Sequence, residues 1–207
     1  MAFNQVLVTA PSSSSNPDGF EVFQIGGKQG DAIVSELHGK HFTANYRGKL
    51  FTATAAAVTV PVVAANLVSV FTLYNPPASG VNMELVEASV VNVLATTVVD
   101  GVGWYFSSAV LTAGGTFTTV GTPQPLNVGA GFTPAGKFYS AYTHSGTPVL
   151  VDIIGGYGAA TDQVGITKFY DGRLILPPGI AMSIAMSTAA STGSGLTLSA
   201  SWQESPI

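Results

Sequence analysis

The chain has 207 residues, of which only 9% are charged, against about 25% in an ordinary soluble domain. Lys and Arg together number 7 and the net charge is -4. No basic surface can therefore form to neutralise phosphates, and we expect no nucleic-acid partner. The chain has no cysteine, which excludes a disulfide framework and a thiol nucleophile.

The missing charge is concentrated in three stretches that contain no Asp, Glu, Lys or Arg: Leu50–Met83, Gly101–Gly136 and Leu174–Gln203. A monomeric protein normally needs surface charges of both signs to stay dispersed. We therefore expect much of this surface to contact other protein, or to present a neutral face of hydroxyl groups.

Residues 1–41 predict an N-terminal arm. Ser12–Gly19 is a linker of turn-forming residues, and ordering an arm costs about 1–2 kcal/mol per residue in backbone entropy. Such an arm needs apolar residues that bury on a neighbouring subunit, and the candidate assembly contacts are Val6, Leu7, Val8, Phe20, Val22, Phe23 and Ile25. An edge strand with loops in the same domain is the alternative.

Residues 42–207 predict strands and turns throughout. Leu67–Tyr74 alternates, Asn75–Gly80 forms a turn, and Val81–Val93 returns as the next strand. The apolar segment Ala55–Phe71 is interrupted by Pro61 and polar residues. We therefore expect it to form strand rather than a membrane span, and we expect no membrane partner.

The later strands follow the same pattern. Phe138–Tyr142 and Val149–Ile154 are separated by a hairpin-like loop. The clearest pair closes the chain, where apolar and small or polar residues alternate with period two, as in a half-buried antiparallel strand. We expect one shared core to contain Ile180, Met182, Ile184, Met186, Leu196, Leu198 and Trp202. Many short strands separated by turns predict an all-β sandwich or barrel.

No set of residues predicts catalysis, a metal or a cofactor. His38 and His41 flank a Gly and a Lys, which favours a turn over a metal-binding helix. His144 lies in a loop with no obvious acid or nucleophile partner, and no G-x-S-x-G motif supports a hydrolase triad. Glu84 and Glu87 are expected at solvent-facing strand positions.

Two further patterns are explained by ordinary structural roles. Gly26–Gly30 and Gly155–Gly158 match no phosphate-binding loop and are predicted as turns. The aromatic clusters Trp104–Phe106, Phe138–Tyr142 and Phe169–Tyr170 could stack on sugars, but such clusters usually fill a core or a subunit interface.

Several motifs resemble structural proteins of tailed-bacteriophage particles. Leu174–Met186 contains an L-P-P-G turn before a strand, and Leu196–Glu204 ends in W-x-E, as in the final strands of phage virion jelly rolls. Gly48–Ala55 and Phe71–Gly80 are similar in style to the same proteins. The resemblance covers most of the chain beyond Phe42.

The resemblance implies a jelly-roll β-sandwich and a non-enzymatic capsid decoration or cement protein on the virion surface. Such proteins are commonly trimeric and bind the major capsid protein. Two alternatives remain open: a head-fibre or receptor-binding module that recognises a host glycan, and a subunit that builds the shell itself.

Overall fold

The computed structural model describes residues 40–64, 66–93, 100–107, 122–144, 146–157, 165–187 and 195–207. The chain divides into two units, Met1–Thr43 and Ala44–Ile207. The predicted arm contacts, from Val6 to Ile25, lie outside the described residues. All strands of the described ranges belong to the second unit.

The elements follow one another as one short helix and thirteen strands in the described ranges. They are α1 (Phe42–Tyr46), β1 (Leu50–Val58), β2 (Val68–Ser69), β3 (Thr72–Tyr74), β4 (Val81–Asn92), β5 (Asp100–Ser107), β6 (Gln124–Pro125), β7 (Lys137–Tyr139), β8 (Tyr142–Thr143), β9 (Val149–Tyr157), β10 (Gly165–Phe169), β11 (Ile175–Leu176), β12 (Ala181–Met186) and β13 (Leu196–Pro206). In the described ranges, no helix is long and apolar enough to span a membrane.

The strands form two main antiparallel sheets. The first sheet has the order β10-β4-β13-β1-β6, with β11 also paired to β4, and the second has the order β7-β3-β12-β5-β9. A third, two-stranded sheet pairs β2 with β8. The predicted all-β antiparallel sandwich is confirmed.

The core lies between the inner faces of the two main sheets. Trp202 of β13 packs near Phe51 of β1 with ring centroids 6.2 Å apart, and Trp104 of β5 packs against Phe71 at 6.1 Å. All four side chains are at most 1% exposed and belong to one hydrophobic cluster. Each strand that supplies this cluster turns one apolar face toward it. The period-two pattern of β13 predicts such a face.

The seven predicted core residues lie together in this cluster. Ile180 is partly buried and packs against it, and the other six are at most 3% exposed: Met182, Ile184, Met186, Leu196, Leu198 and Trp202. In β13 the alternation agrees with a half-buried strand, because Thr197, Ser199 and Gln203 face outward with partial exposure.

Strand β12 differs from the half-buried strand predicted from its alternation, because all six of its residues are buried. Its second face carries Ala181, Ser183 and Ala185. Ala185 packs with Leu67 and Tyr105, and Ala181 with Tyr74 and Tyr142. The residues around β2 and β8 therefore form a third layer over the middle of the second sheet.

Three predicted strand pairings are wrong. Strand β4 does not return beside β3, β13 does not pair with β12, and β9 does not pair with β8, because each pair is divided between sheets. Strand β12 pairs instead with β3 and β5, while β13 pairs with β1 and β4. Alternation shows which face of a strand is apolar, but it does not identify the neighbouring strand.

Two proline turns dock on each other at one end of the sandwich. The Asn75 side-chain amide donates to the carbonyl oxygens of Val81 and Leu176, each at 2.8 Å. The Gly179 amide donates to the Asn75 carbonyl at 2.7 Å, and Gly179 has a φ of 88°, which favours glycine. The L-P-P-G turn is thereby fixed to the turn after β3.

Replacing Trp202 by Ala should lower the free energy of unfolding by about 3–5 kcal/mol, because the indole is fully buried between the sheets. Chemical denaturation monitored by circular dichroism measures this loss. Phe169→Ala is the control, since Phe169 is 62% exposed. Equal midpoints for Trp202→Ala and the wild type would contradict the assigned core.

Candidate functional site

Strand β9 leaves a row of aliphatic side chains at the outer edge of the second sheet. Val149, Leu150, Val151 and Ile153 are 66%, 41%, 45% and 54% exposed. We call these four residues the apolar edge. An exposed, long and apolar edge strand is a surface on which another chain readily binds.

The glycines at the end of β9 extend the strand, although the sequence predicted a turn there. Gly155 and Gly156 pair with Val102 and Gly101 of β5. A Cβ on Gly155 would come within 2.6 Å of the Ile166 side chain. Glycine therefore lets β9 pass close to β10 where the edges of the two main sheets meet.

One ion pair connects β10 to this edge. The Lys168 ammonium lies 2.8 Å from an Asp152 carboxylate oxygen and also donates to the Ile153 carbonyl oxygen at 2.6 Å. Lys168 therefore provides a hydrogen-bond donor to one carbonyl oxygen of β9, that of Ile153. The aliphatic side chains from Val149 to Val151 stay exposed.

A row of hydroxyl groups crosses the outer face of the first sheet. The strand registers place Thr54, Ser199, Ser89 and Thr167 side by side on β1, β13, β4 and β10. Thr54 donates to Ser199 at 3.3 Å, and the hydroxyl oxygens of Ser89 and Thr167 are 2.9 Å apart. We call these four uncharged residues the hydroxyl row, and a hydroxyl face of this kind is one of the two surfaces that the charge-poor sequence predicts.

The two predicted solvent-facing glutamates border this row. The Ser201 hydroxyl donates to Glu87 at 3.2 Å, and the Ser205 hydroxyl donates to Glu84. Both carboxylates are partly exposed on β4. Each one is thus held by a serine of β13 on the outer face of the sheet.

His144 has a partner that the sequence did not reveal. Its Nε2 lies 2.7 Å from the Ser183 hydroxyl, and Ser183 lies 2.7 Å from the Thr72 hydroxyl. All three side chains are at most 1% exposed. A histidine this close to a serine hydroxyl resembles a catalytic base beside its nucleophile. Because this contact is buried between β8 and β12, it instead connects the third layer to the second sheet.

Glu204 gives the W-x-E segment a structural role. Its two carboxylate oxygens accept hydrogen bonds from the Ala135 and Gly136 amides at 3.0 and 2.8 Å, and one of them also accepts from the Trp202 indole at 3.3 Å. Glu204 is 5% exposed. A buried carboxylate is tolerated where several donors satisfy it, so Glu204 fixes the loop before β7 to the end of β13.

The aromatic candidates for sugar stacking lie mostly in the interior. Phe169 is 62% exposed, whereas five others are at most 3% exposed: Trp104, Tyr105, Phe138, Tyr142 and Tyr170. Tyr139 is partly buried against the third layer. Phe169 alone of these clusters, within the described part of the chain, offers a strongly exposed ring.

Of the two histidines His38 and His41, His38 lies outside the described residues. His41 lies in the turn before α1. Among the side chains that the structure describes, no three His, Asp or Glu residues form a group that could hold a metal ion.

Comparison with known proteins gives no match: no family model, no curated protein and no solved structure is significantly similar to this chain. The geometry described above is therefore the basis for any functional proposal.

Acid should destabilise the fold through His144. Burial lowers the pKa of His144 from 6.5 to about 4, so the unfolded chain binds a proton that the folded chain does not. Stability supplied by the neutral imidazole is complete above pH 6.5 and falls as the pH decreases towards 4. The loss from this group should reach about 3 kcal/mol.

Urea denaturation at several pH values between 7 and 4 measures this effect. His144→Gln removes the titrating group, so the difference in unfolding free energy between wild type and variant should shrink as the pH falls. A difference that is constant across this range would contradict the assignment.

Proposed function

We propose that this chain is a non-enzymatic structural virion protein that decorates or cements the capsid of a tailed bacteriophage. In this proposal it forms a homo-oligomer, a trimer as the resemblance implies, on the capsid surface and binds the major capsid protein. It needs no cofactor. The observation that supports the proposal most strongly is the exposed apolar edge of β9 in a chain that has few charged residues.

We infer further that the sandwich is a jelly roll. Strands β1, β4, β10 and β13 belong to the first sheet, and β3, β5, β9 and β12 belong to the second. Taken in chain order, these eight strands change sheet at every step except between β5 and β9. Eight strands in two Greek-key sheets define the jelly roll, a fold found in viral capsids and lectins.

Burial of the apolar edge would stabilise an assembly, because removing apolar surface from water contributes about 25 cal/mol per Å². A specific interface of standard size buries about 1,600 Å² in total. A protein that binds only the assembled shell stabilises that shell by linkage. An apolar surface with few charges suits this role, because few ionic groups must lose their hydration when the interface forms.

Replacing Val149 by Lys should weaken self-association or capsid attachment, because the interface would bury an unpaired charge. Analytical ultracentrifugation and co-sedimentation with capsids measure the two processes. Val128→Lys is the matched control, since Val128 is 89% exposed and lies outside the apolar edge.

The Val149→Lys variant should keep the wild-type thermal midpoint, because Val149 is 66% exposed. Oligomerisation and attachment equal to those of the Val128→Lys control would show that the apolar edge is not an assembly surface.

Deleting residues 1–41 should leave a folded sandwich and weaken assembly, if the apolar islands at Val6–Val8 and Phe20–Ile25 dock on a neighbouring subunit. Circular dichroism and co-sedimentation of the truncated and full-length chains test this. Unfolding on truncation would place the segment in the domain's own sheets, and unimpaired attachment would place the binding surface elsewhere.

Recognition of a host glycan is a second candidate, and the hydroxyl row favours it. Thr54, Ser199, Ser89 and Thr167 offer neutral donors and acceptors on one face, and Phe169 offers an exposed ring on β10. Binding to one polysaccharide on a glycan array would favour this candidate over cementing. Copy number per particle, measured by mass spectrometry, would distinguish decoration from a shell-forming subunit.

A further inference from the structure

A cavity of about 310 Å³ is formed by β6, the edge strand of the first sheet, and by the loop that follows it. Its lining consists of two threonines, three prolines, two glycines, Gln124 and Phe132, and none of these residues is charged. The volume lies at the lower end of the range for small-molecule sites, which combine apolar walls with a few polar groups. The lining therefore suits a ligand that is polar and neutral.

The Phe132 ring is a fixed wall of this cavity. It packs directly on the backbone of Gly48, where a Cβ atom would lie only 2.1 Å from the ring. Gly48 also has a φ of 65°, so both space and backbone conformation favour glycine there. The ring is nevertheless 39% exposed. A flat ring that is held in place and open to solvent offers a face on which the C–H groups of a sugar can stack.

The loop that carries Phe132 is anchored at both ends. At its start, the Leu126 amide donates to the Leu50 carbonyl oxygen of β1 at 3.0 Å. At its end, the amides of Ala135 and Gly136 donate to the buried Glu204 carboxylate. The cavity is thus formed before a ligand arrives, and a ligand that binds there does not have to order the loop.

Polar groups beside the ring are available to sugar hydroxyls. The amides of Gly131, Phe132 and Thr133 make no hydrogen bond to any residue in the described ranges. The Gln124 side-chain amide donates to the Thr122 carbonyl oxygen at 2.8 Å, which leaves its own oxygen as an acceptor. The cavity therefore combines neutral donors and a neutral acceptor with an aromatic ring.

The strand register connects this cavity to the outer face of the first sheet. Gln124 lies directly opposite Thr52 of β1, and residues opposite each other share a face. Thr54, a member of the hydroxyl row, is two residues further along the same strand and points to the same side. A sugar chain longer than one unit can therefore extend from the cavity toward the hydroxyl row.

We propose that this cavity binds one sugar unit of a neutral oligosaccharide. The C–H face of the sugar stacks on Phe132, its hydroxyls bond Gln124 and the free amides of the loop, and the rest of the chain lies along the outer face of the first sheet. This inference rests on the second candidate function, glycan recognition, and is independent of the capsid role.

The test begins with labelled full-length protein on an array of neutral oligosaccharides of glucose, galactose, mannose and N-acetylglucosamine, with sialylated and sulfated glycans for comparison. The tightest neutral binder is then titrated by calorimetry. Phe132→Leu should weaken its binding severalfold or more, because the variant keeps apolar volume but loses the flat face, while Phe132→Tyr should bind as the wild type does. Phe169→Leu is the matched control, because Phe169 is 62% exposed on β10, at the opposite edge of the same sheet.

A second variant tests the site without altering the packing on Gly48. Gln124→Ala changes an exposed side chain, so the thermal midpoint should stay at the wild-type value. Binding of the same oligosaccharide should weaken severalfold, because a sugar hydroxyl loses its amide partner.

Absence of binding to every neutral glycan would overturn both this site and glycan recognition. Binding that Phe169→Leu weakens, while Phe132→Leu and Gln124→Ala leave it unchanged, would overturn the site alone, because the glycan would then lie at the β10 edge. Tighter binding of sialylated or sulfated glycans than of neutral ones would contradict the proposed ligand class.

Discussion

Strand β12 is buried on both faces, and the arrangement of the other elements depends on this double burial. One face contributes Met182, Ile184 and Met186 to the core between the sheets, while Ala181 and Ala185 on the other face pack under the third layer. Small residues on that second face let β2 and β8 approach closely, because a large side chain at either alanine would need space that the packed layer does not provide. The layer is fixed further by the hydrogen bonds that join Ser183 to His144 and Thr72.

The third layer covers the centre of the second sheet and leaves the edge strand β9 exposed. The hydroxyl row lies on the outer face of the other main sheet. The two surfaces differ in chemistry: the apolar edge is stabilised by burial, whereas the hydroxyl row offers directed hydrogen bonds without charge. The proposed capsid role would use the apolar edge, and the alternative, glycan recognition, would use the hydroxyl row.

Sequence patterns predicted the fold class and the interior, because alternation follows directly from strand geometry. Leu196, Leu198 and Trp202 lie in the core for this reason. Strand pairing could not be predicted, because the same alternation is compatible with any neighbour that buries the apolar face. The contact between His144 and Ser183 joins residues 39 positions apart in layers that the sequence does not reveal. The exposure of β9 likewise depends on packing between distant segments.

In the proposed role, the apolar edge of β9 binds another protein chain. Amide hydrogen exchange, measured on the free protein and on the protein bound to capsids, tests this most directly, with the amides of β12 as an internal reference because that strand is central and buried in both states. We expect slower exchange from Val149 to Ile153 in the bound state and unchanged exchange in β12. Equal exchange of β9 in the two states, with protein demonstrably bound, would contradict it.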